Sequence, residues 1–434
     1  MRIKLLIALF KDGFFDLFKN LYFGFFYGHT HLDKNQIQKI RMLVGSSSDE
    51  VNSKYESLFA SLIGDGEAIS YASARMGVFE LLKVLNIKSG DEVVLLGSTC
   101  SVMVTAIMRR GATPIFSDID PETMGSCPIK IATCITSRTR MIVAQHSFGI
   151  PCDILPIVNL AKSANIFLLE DCALTLGSKV NGIVVGNFGD AAIFSTDHSK
   201  PISTLIGGLI YTKNKKLADL LRQDQKKLPD FPLAKQKAIF YRLILEAKYC
   251  SPKKYKYMVL IDLYVAIVRK LFKRPSPFLL EDSIPGVHSA YPYPAKLPTF
   301  LAFLGMIEIE RWEITAHHRV SFMKDLFNFF KTNRKKIHLP DAYSNASLEI
   351  VPLRFVFFDT NYISFLERIK NFIPVCWIWF RSPIIATSEP LENLGYQLGE
   401  CPISEHVGSM IINLPCNMPV EYQEHFKNIL FSKI

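Results

Sequence analysis

Lys200 sits in the run "FSTDHSKP" (residues 194–201), between the apolar stretch "DAAIFS" and a glycine pair that opens "GGLIYT". A lysine is a poor choice for a turn between two buried strands, because its ammonium strongly prefers water. It is either a solvated loop residue or an amine put there for its chemistry. When desolvation and neighbouring charge lower its pKa, a lysine amine is a nucleophile that forms a Schiff base with a carbonyl compound. Two further groups share its neighbourhood: Asp171 ends the strand-like "IFLLED" and Ser195 ends "AAIFS".

The elements that must position these groups follow a regular plan between residues 67 and 212. A helix is expected over residues 76–85, then a turn at Ser89-Gly90 and the buried strand "EVVLL". The helix "VMVTAIMRR" leads to "TPIFSDID"; "TRMIVAQH" leads through the helix "LPIVNLAKSA" to "NIFLLEDC". Strands alternating with helices imply a mostly parallel sheet, with ligands bound at the carboxyl ends of the strands. Asp171 and Ser195 then share one mouth, and Lys200 follows five residues later. One long helix is expected in "LPTFLAFLGMIEIERWEITAHHRVSFMKDLFNFFKTN". Strand-like "LEIVPLRFVFF" and "PVCWIWF" and a final helix read as a small α+β domain. The expected division is an arm over 1–45, a large α/β domain over 46–212, a basic helical insertion over 213–290, and the long helix with the small domain over 291–434.

Seven segments in order carry a resemblance: "GDEVVLL", "GATPIFSDIDPETM", "HSFGIPCDI", "LLEDCALTLGS", "VGNFGDAAIFSTDHSK", "GGLIYT" and "CPISEHVGSMIINLP". The chain resembles the DegT/DnrJ/EryC1/StrS sugar aminotransferases, which use pyridoxal 5′-phosphate on the fold type I, aspartate aminotransferase-like scaffold. The resemblance implies that Lys200 forms the Schiff base with the cofactor and then shuttles a proton as base and acid. It implies that Asp171 pairs with the pyridine nitrogen, whose pKa a carboxylate raises, and leaves Glu170 structural. Ser195 matches a serine that binds the cofactor phosphate. Ser73-Ala74-Arg75 matches a small-residue turn opening a helix, where backbone N–H groups at Ala74 and the Arg75 cation suit a phosphate.

The resemblance further implies transfer of an amino group, from glutamate, to a nucleotide- or lipid-linked keto-sugar for surface glycoconjugates, by a homodimer, and the singly scattered cysteines suit a reduced, cytoplasmic protein. Alternatives stay open: a sugar dehydratase, which Lys200 disfavours, or a regulatory or membrane-recruited protein that keeps the fold without turnover. Leu174 stands where many relatives have glutamine, and Cys100 where many have an aromatic that stacks on the cofactor ring. The segment after Lys200 is "PISTLIGG", not the usual glycine-rich tract, and Pro294-Ala295-Lys296 poorly matches an Asn-Tyr-Arg segment. His198 reads as a loop histidine and His146 as a residue shaping the pocket wall.

Composition sets outer limits. With 49% hydrophobic and 21% charged residues the 434-residue chain is in the globular range. Its nine cysteines are scattered singly and its ten histidines show no metal-ligand spacing, so neither a disulfide scaffold nor a metal site is expected. Net charge is +10, yet residues 213–274 hold 17 Lys+Arg against 5 Asp+Glu. Without a nucleic-acid-binding motif, this basic stretch, interleaved with apolar runs, reads as a surface for an anionic membrane or acidic substrates. In the insertion, residues 234–249 and 257–272 read as helices too short to span a bilayer. Their apolar faces either pack on the enzyme or lie on a membrane. The first 28 residues hold seven phenylalanines, with Leu6, Phe10, Phe14, Leu17 and Phe18 at helical spacing. They read as an interfacial helix or an arm packed on a partner.

Overall fold

Seven short apolar runs pair edge to edge in the computed structural model, which describes residues 28–251, 253–272, 274–279, 291–333 and 337–431. The expected helix through Leu6 and Phe18 lies outside the described residues. The strands are β1 (Glu67–Tyr71), β2 (Glu92–Leu96), β3 (Thr113–Ser117), β4 (Thr139–Gln145), β5 (Phe167–Asp171), β6 (Ala191–Ser195) and β7 (Gly208–Thr212). Their order across the sheet is β1-β7-β6-β5-β4-β2-β3. From β6 to β3 every pair is parallel, whereas β7 runs antiparallel to both β6 and β1. All five residues of β2 are buried, as parallel strands covered on both faces require.

The helix Ala74–Val84 begins three residues after the end of β1 and buries Met76, Val78, Leu81 and Leu82. Val78, Leu81 and Leu82, spaced i, i+3 and i+4, fall on one side, and Met76 is buried on another, so the helix is enclosed over much of its circumference. Within the insertion, the helix Leu233–Tyr249 buries Ile239, Phe240 and Leu243 in the same core as the sheet. The first of the two apolar faces therefore packs on the enzyme. A second core forms around the antiparallel strands β8 (Arg354–Phe358) and β9 (Ile411–Pro415) and is rich in phenylalanine, including Phe330, Phe355, Phe357 and Phe365. Ile384, Leu394, Tyr396 and Cys401, though late in the chain, join the large core.

Two expectations need correction. The long helix is two helices, Thr299–Glu310 and Trp312–Asn333, separated at Arg311. There the Arg311 N–H bonds Glu308 and Ile309 carbonyls, tightening the turn. The first helix is buried almost all round, while Phe322, Met323, Leu326 and Phe330 of the second belong to the phenylalanine-rich core. The break lets one sequence serve two cores. "PVCWIWF" is not a strand: Val375–Trp377 is a 3₁₀ turn. Its backbone is held by side chains, with Arg354 donating to the Trp377 carbonyl and Asn413 bonding both N–H and C=O of Trp379. A backbone satisfied this way has nothing left for a ladder.

A buried charge cluster ties the chain's beginning to the insertion. His29 Nδ1 lies 3.1 Å from Glu246, its Nε2 lies 3.0 Å from the Ser203 carbonyl, and Glu308 is 3.9 Å away. Arg242 and His31 engage the same two glutamates at 2.7 and 2.8 Å. Burial alone would lower the His29 pKa, but the hydrogen bond to Glu246 and the charges of Glu308 and Glu246 outweigh it and raise it above 6.5. Protonated His29 therefore stabilises the fold fully below about pH 6.5, and this contribution fades as pH rises through the raised value. Unfolding free energy measured by denaturant should fall across that window, and His29→Gln should flatten the slope. Equal slopes in both proteins would contradict the assignment.

Candidate active site

The register of the sheet brings the expected residues to one edge. Asp171 pairs with Ile193, Ser195 with Gly208, and Gly208 with Tyr71, so the ends of β5, β6 and β1 meet the start of β7. Two residues beyond Tyr71, Ser73 begins the helix Ala74–Val84. A Cβ on Gly208 would lie 2.4 Å from the Ala74 backbone nitrogen, so the helix terminus rests directly on the strand and only glycine fits. Ser73 is buried, caps no backbone N–H, and its Oγ has no hydrogen-bond partner among the described residues. An unsatisfied buried hydroxyl beside the free N–H groups of a helix N-terminus forms a ready cradle for an anion. Arg75 belongs to that first turn; its Nη1 donates to the Leu279 carbonyl at 3.0 Å, and its charge reaches Asp197. Ser195 is half-buried at the same edge.

Asp171 is buried and accepts from the Ala173 N–H at 2.9 Å. Burial raises its pKa, against the opposing pull of that N–H, Lys200 and His146. Lys200 is part-buried in the turn closed by its own N–H on the Asp197 carbonyl at 3.0 Å. Burial lowers its pKa, although Cys100, Asp197 and Asp171 pull the other way, and Arg354 reinforces the fall. A larger share of the amine is therefore neutral and nucleophilic than in an exposed lysine. The neighbouring Asp197 behaves oppositely. Burial would raise it, but His198 at 2.5 Å, then Lys200 and Arg75, bring it to about 2. His198 is thus a loop histidine engaged with Asp197.

Glu170 and Asp171 diverge as successive strand residues must. The Glu170 carboxylate accepts from Gly186, Phe188 and Gly189 N–H groups at 2.8, 2.6 and 2.7 Å, and lies 3.1 Å from His146 Nε2. His146 Nδ1 accepts from the Cys152 N–H, which leaves Nε2 as the donor to Glu170. His146, Glu170 and Cys172 are close enough to share an ion, but these hydrogen bonds already occupy the imidazole and the carboxylate.

Three residues escaped the sequence reading. Trp379 places its ring 5.1 Å from the Lys200 amine and 3.4 Å from the buried Arg354 guanidinium, and Trp377 meets the His198 ring edge-on at 6.1 Å. The available signal was composition: the chain has three tryptophans and two of them stand in "CWIWF". Leu174 packs in an apolar cluster with Phe148, Leu353 and Phe380, and Cys100 caps the helix Ser101–Arg109 within electrostatic reach of Lys200.

Because Glu170 takes three N–H donors, an amide there would turn its own donors toward some of them. Glu170→Gln should cost about 1–3 kcal/mol of stability, read as a lower denaturant midpoint; an unchanged midpoint would show that the carboxylate is dispensable.

Residues 31–236 match the sequence model of the DegT/DnrJ/EryC1/StrS aminotransferase family. The chain is 40% identical over 174 residues to GDP-perosamine synthase of Escherichia coli O157:H7, covering 40% of this chain and 48% of that protein. It is 34% identical over 168 residues to UDP-N-acetyl-3-dehydro-alpha-D-glucosamine 3-aminotransferase of Acidithiobacillus ferrooxidans, covering 38% and 46%. These alignments span about half the length of the curated relatives. The fold likeness extends further. An aminotransferase from Psychrobacter cryohalolentis superposes with a TM-score of 0.70 at 17% identity, over 93% of this chain and 98% of that one. A DegT DnrJ EryC1 StrS aminotransferase from Brucella abortus gives 0.65 at 16%, over 92% and 95%. Residues 31–236 thus match the DegT/DnrJ/EryC1/StrS aminotransferase family model, and the likeness in fold to solved aminotransferases extends across the C-terminal unit.

Proposed function

We propose that the protein is a pyridoxal phosphate-dependent aminotransferase that moves an amino group, from glutamate, to a nucleotide- or lipid-linked keto-sugar for surface glycoconjugate synthesis. The observation that carries this reading is the meeting of the Lys200 amine, the Asp171 carboxylate and the Ser73–Arg75 helix terminus at one edge of the sheet. These residues fit the cofactor. The unsatisfied Ser73 Oγ, the N–H groups that follow and Ser195 would hold its phosphate, and Lys200 would anchor it covalently. Asp171, a buried carboxylate with a raised pKa, would gain a cationic partner in a protonated ring nitrogen. Bound there, the cofactor supplies an electron sink for the carbon that loses its proton. The Lys200 amine would then be the base that takes a proton from the donor carbon and the acid that gives it to the cofactor carbon.

Similarity to sugar aminotransferases supports the acceptor class. A homodimer and contact of the basic insertion with an anionic membrane surface belong to the same proposal. A second reading, a protein that keeps the cofactor site without turnover, draws on Leu174, which packs in an apolar cluster where relatives carry glutamine. Incubation with glutamate and a panel of nucleotide-linked keto-sugars separates the two readings: release of 2-oxoglutarate with an amino-sugar supports transamination. A deoxygenated sugar without 2-oxoglutarate would instead indicate dehydration, and no product with any donor or acceptor would favour the second reading.

Lys200→Ala should leave the protein folded and reduce turnover by at least about 10³-fold, within the range of general acid–base contributions. Wild-type turnover in that variant would refute the role. Asp171→Asn should retain the cofactor and lose roughly 10²- to 10³-fold in kcat, the scale of removing one preorganised electrostatic partner. Near-normal kcat would mean that another group faces the ring nitrogen.

A further inference from the structure

The helix Tyr255–Leu271 follows Leu233–Tyr249 and packs against it, with Met258 buried and Asp262 ion-paired to Arg242 of its neighbour. Its other side is apolar and open. Leu260, Tyr264, Ile267 and Leu271 recur every three or four residues and are 44, 68, 38 and 71% exposed, and Phe272 just beyond the helix is 67% exposed. This spacing sets the four on one stripe. Large apolar side chains aligned on one exposed face mark an interaction surface, unlike isolated exposed hydrophobics.

Charge identifies the partner. Lys253 and Lys254, both exposed, stand immediately before the helix, and the exposed Arg274 stands just after it. The helix's acid, Asp262, is turned away from the stripe toward Arg242. An apolar stripe framed by cations complements an anionic surface. A second copy meeting it stripe to stripe would set these cations against one another in either direction. The helix has 17 residues, about 25 Å at 1.5 Å rise, and among the described residues no helix is long and apolar enough to cross a membrane. The geometry suits a helix lying in the plane of the headgroups, with its stripe at the acyl boundary.

We propose that this face is a lipid-docking surface: Leu260, Tyr264, Ile267, Leu271 and Phe272 insert at the headgroup boundary of an anionic leaflet, while the flanking Lys253, Lys254 and Arg274 meet its phosphates. The inference rests on the membrane contact proposed above and specifies which face makes it. The test is flotation of the full chain, loaded with cofactor, on phosphatidylcholine vesicles and on vesicles with added phosphatidylglycerol, at low and high salt. Wild type should float with the anionic vesicles at low salt, and much less with neutral vesicles or at high salt. Leu260→Glu/Ile267→Glu should lose at least tenfold of the bound fraction, with unchanged unfolding midpoint and light-scattering mass. The single variant Leu271→Glu, at the helix end, should lose binding in the same sense without touching the packed side. Wild type that floats with neither vesicle would overturn the membrane contact itself. Wild type that floats while both variants float equally would overturn only this face. A drop in oligomeric mass in the variants would overturn the proposal in favour of a second copy as occupant.

Discussion

Two adjacent carboxylates at the end of β5 organise the site, because a buried carboxylate must find partners. Glu170 is provided for within the fold by three backbone N–H groups and His146, and in meeting them it fixes the 186–189 loop against the sheet. Asp171, one residue later, faces the opposite side, where one backbone N–H and the more distant charge of Lys200 counter its burial. The first carboxylate completes a structure, and the second leaves electrostatic demand at the mouth of the sheet. Lys200 has the complementary condition, an amine that burial disfavours as a cation. The seating of Ala74 on Gly208 adds the anion cradle to the same edge, and the three features together give the site its chemical character.

The basic insertion belongs to the enzyme as well as to its surface. Its first helix contributes Ile239, Phe240 and Leu243 to the large core and Glu246 to a cluster that reaches the Ser203 carbonyl, three residues beyond Lys200. A loop that carries the amine is thereby bonded to the element that carries the excess positive charge. The second helix, packed on the first, leaves its apolar stripe outward. One insertion thus has an inner face bonded to the loop that carries Lys200 and an outer face that is apolar and exposed.

Much of this was legible because it is local or periodic. Alternating apolar runs and helices gave the sheet, and strand ends located Asp171 and Ser195. The turn at Ser73–Arg75 and the position of Lys200 followed from the family resemblance. What was hidden depends on contacts between residues far apart in sequence. "PVCWIWF" has the composition of a strand, yet Arg354 and Asn413 hold its backbone, and neither can be paired with it by spacing. The same distance concealed Trp379 beside Lys200. Arg311 lies inside an unbroken helical pattern, and only the need to serve two cores interrupts it. His29 and Glu246 are 217 residues apart, so nothing local marks them as a pair.

The central claim is that Lys200 is the amine that takes the cofactor. The most direct measurement is to equilibrate the protein with pyridoxal phosphate, reduce with borohydride and locate the added mass by peptide mapping. A single stoichiometric adduct on the peptide containing Lys200 is predicted. An adduct spread over exposed lysines, or one fixed at a different lysine while Lys200 stays unmodified, would contradict it.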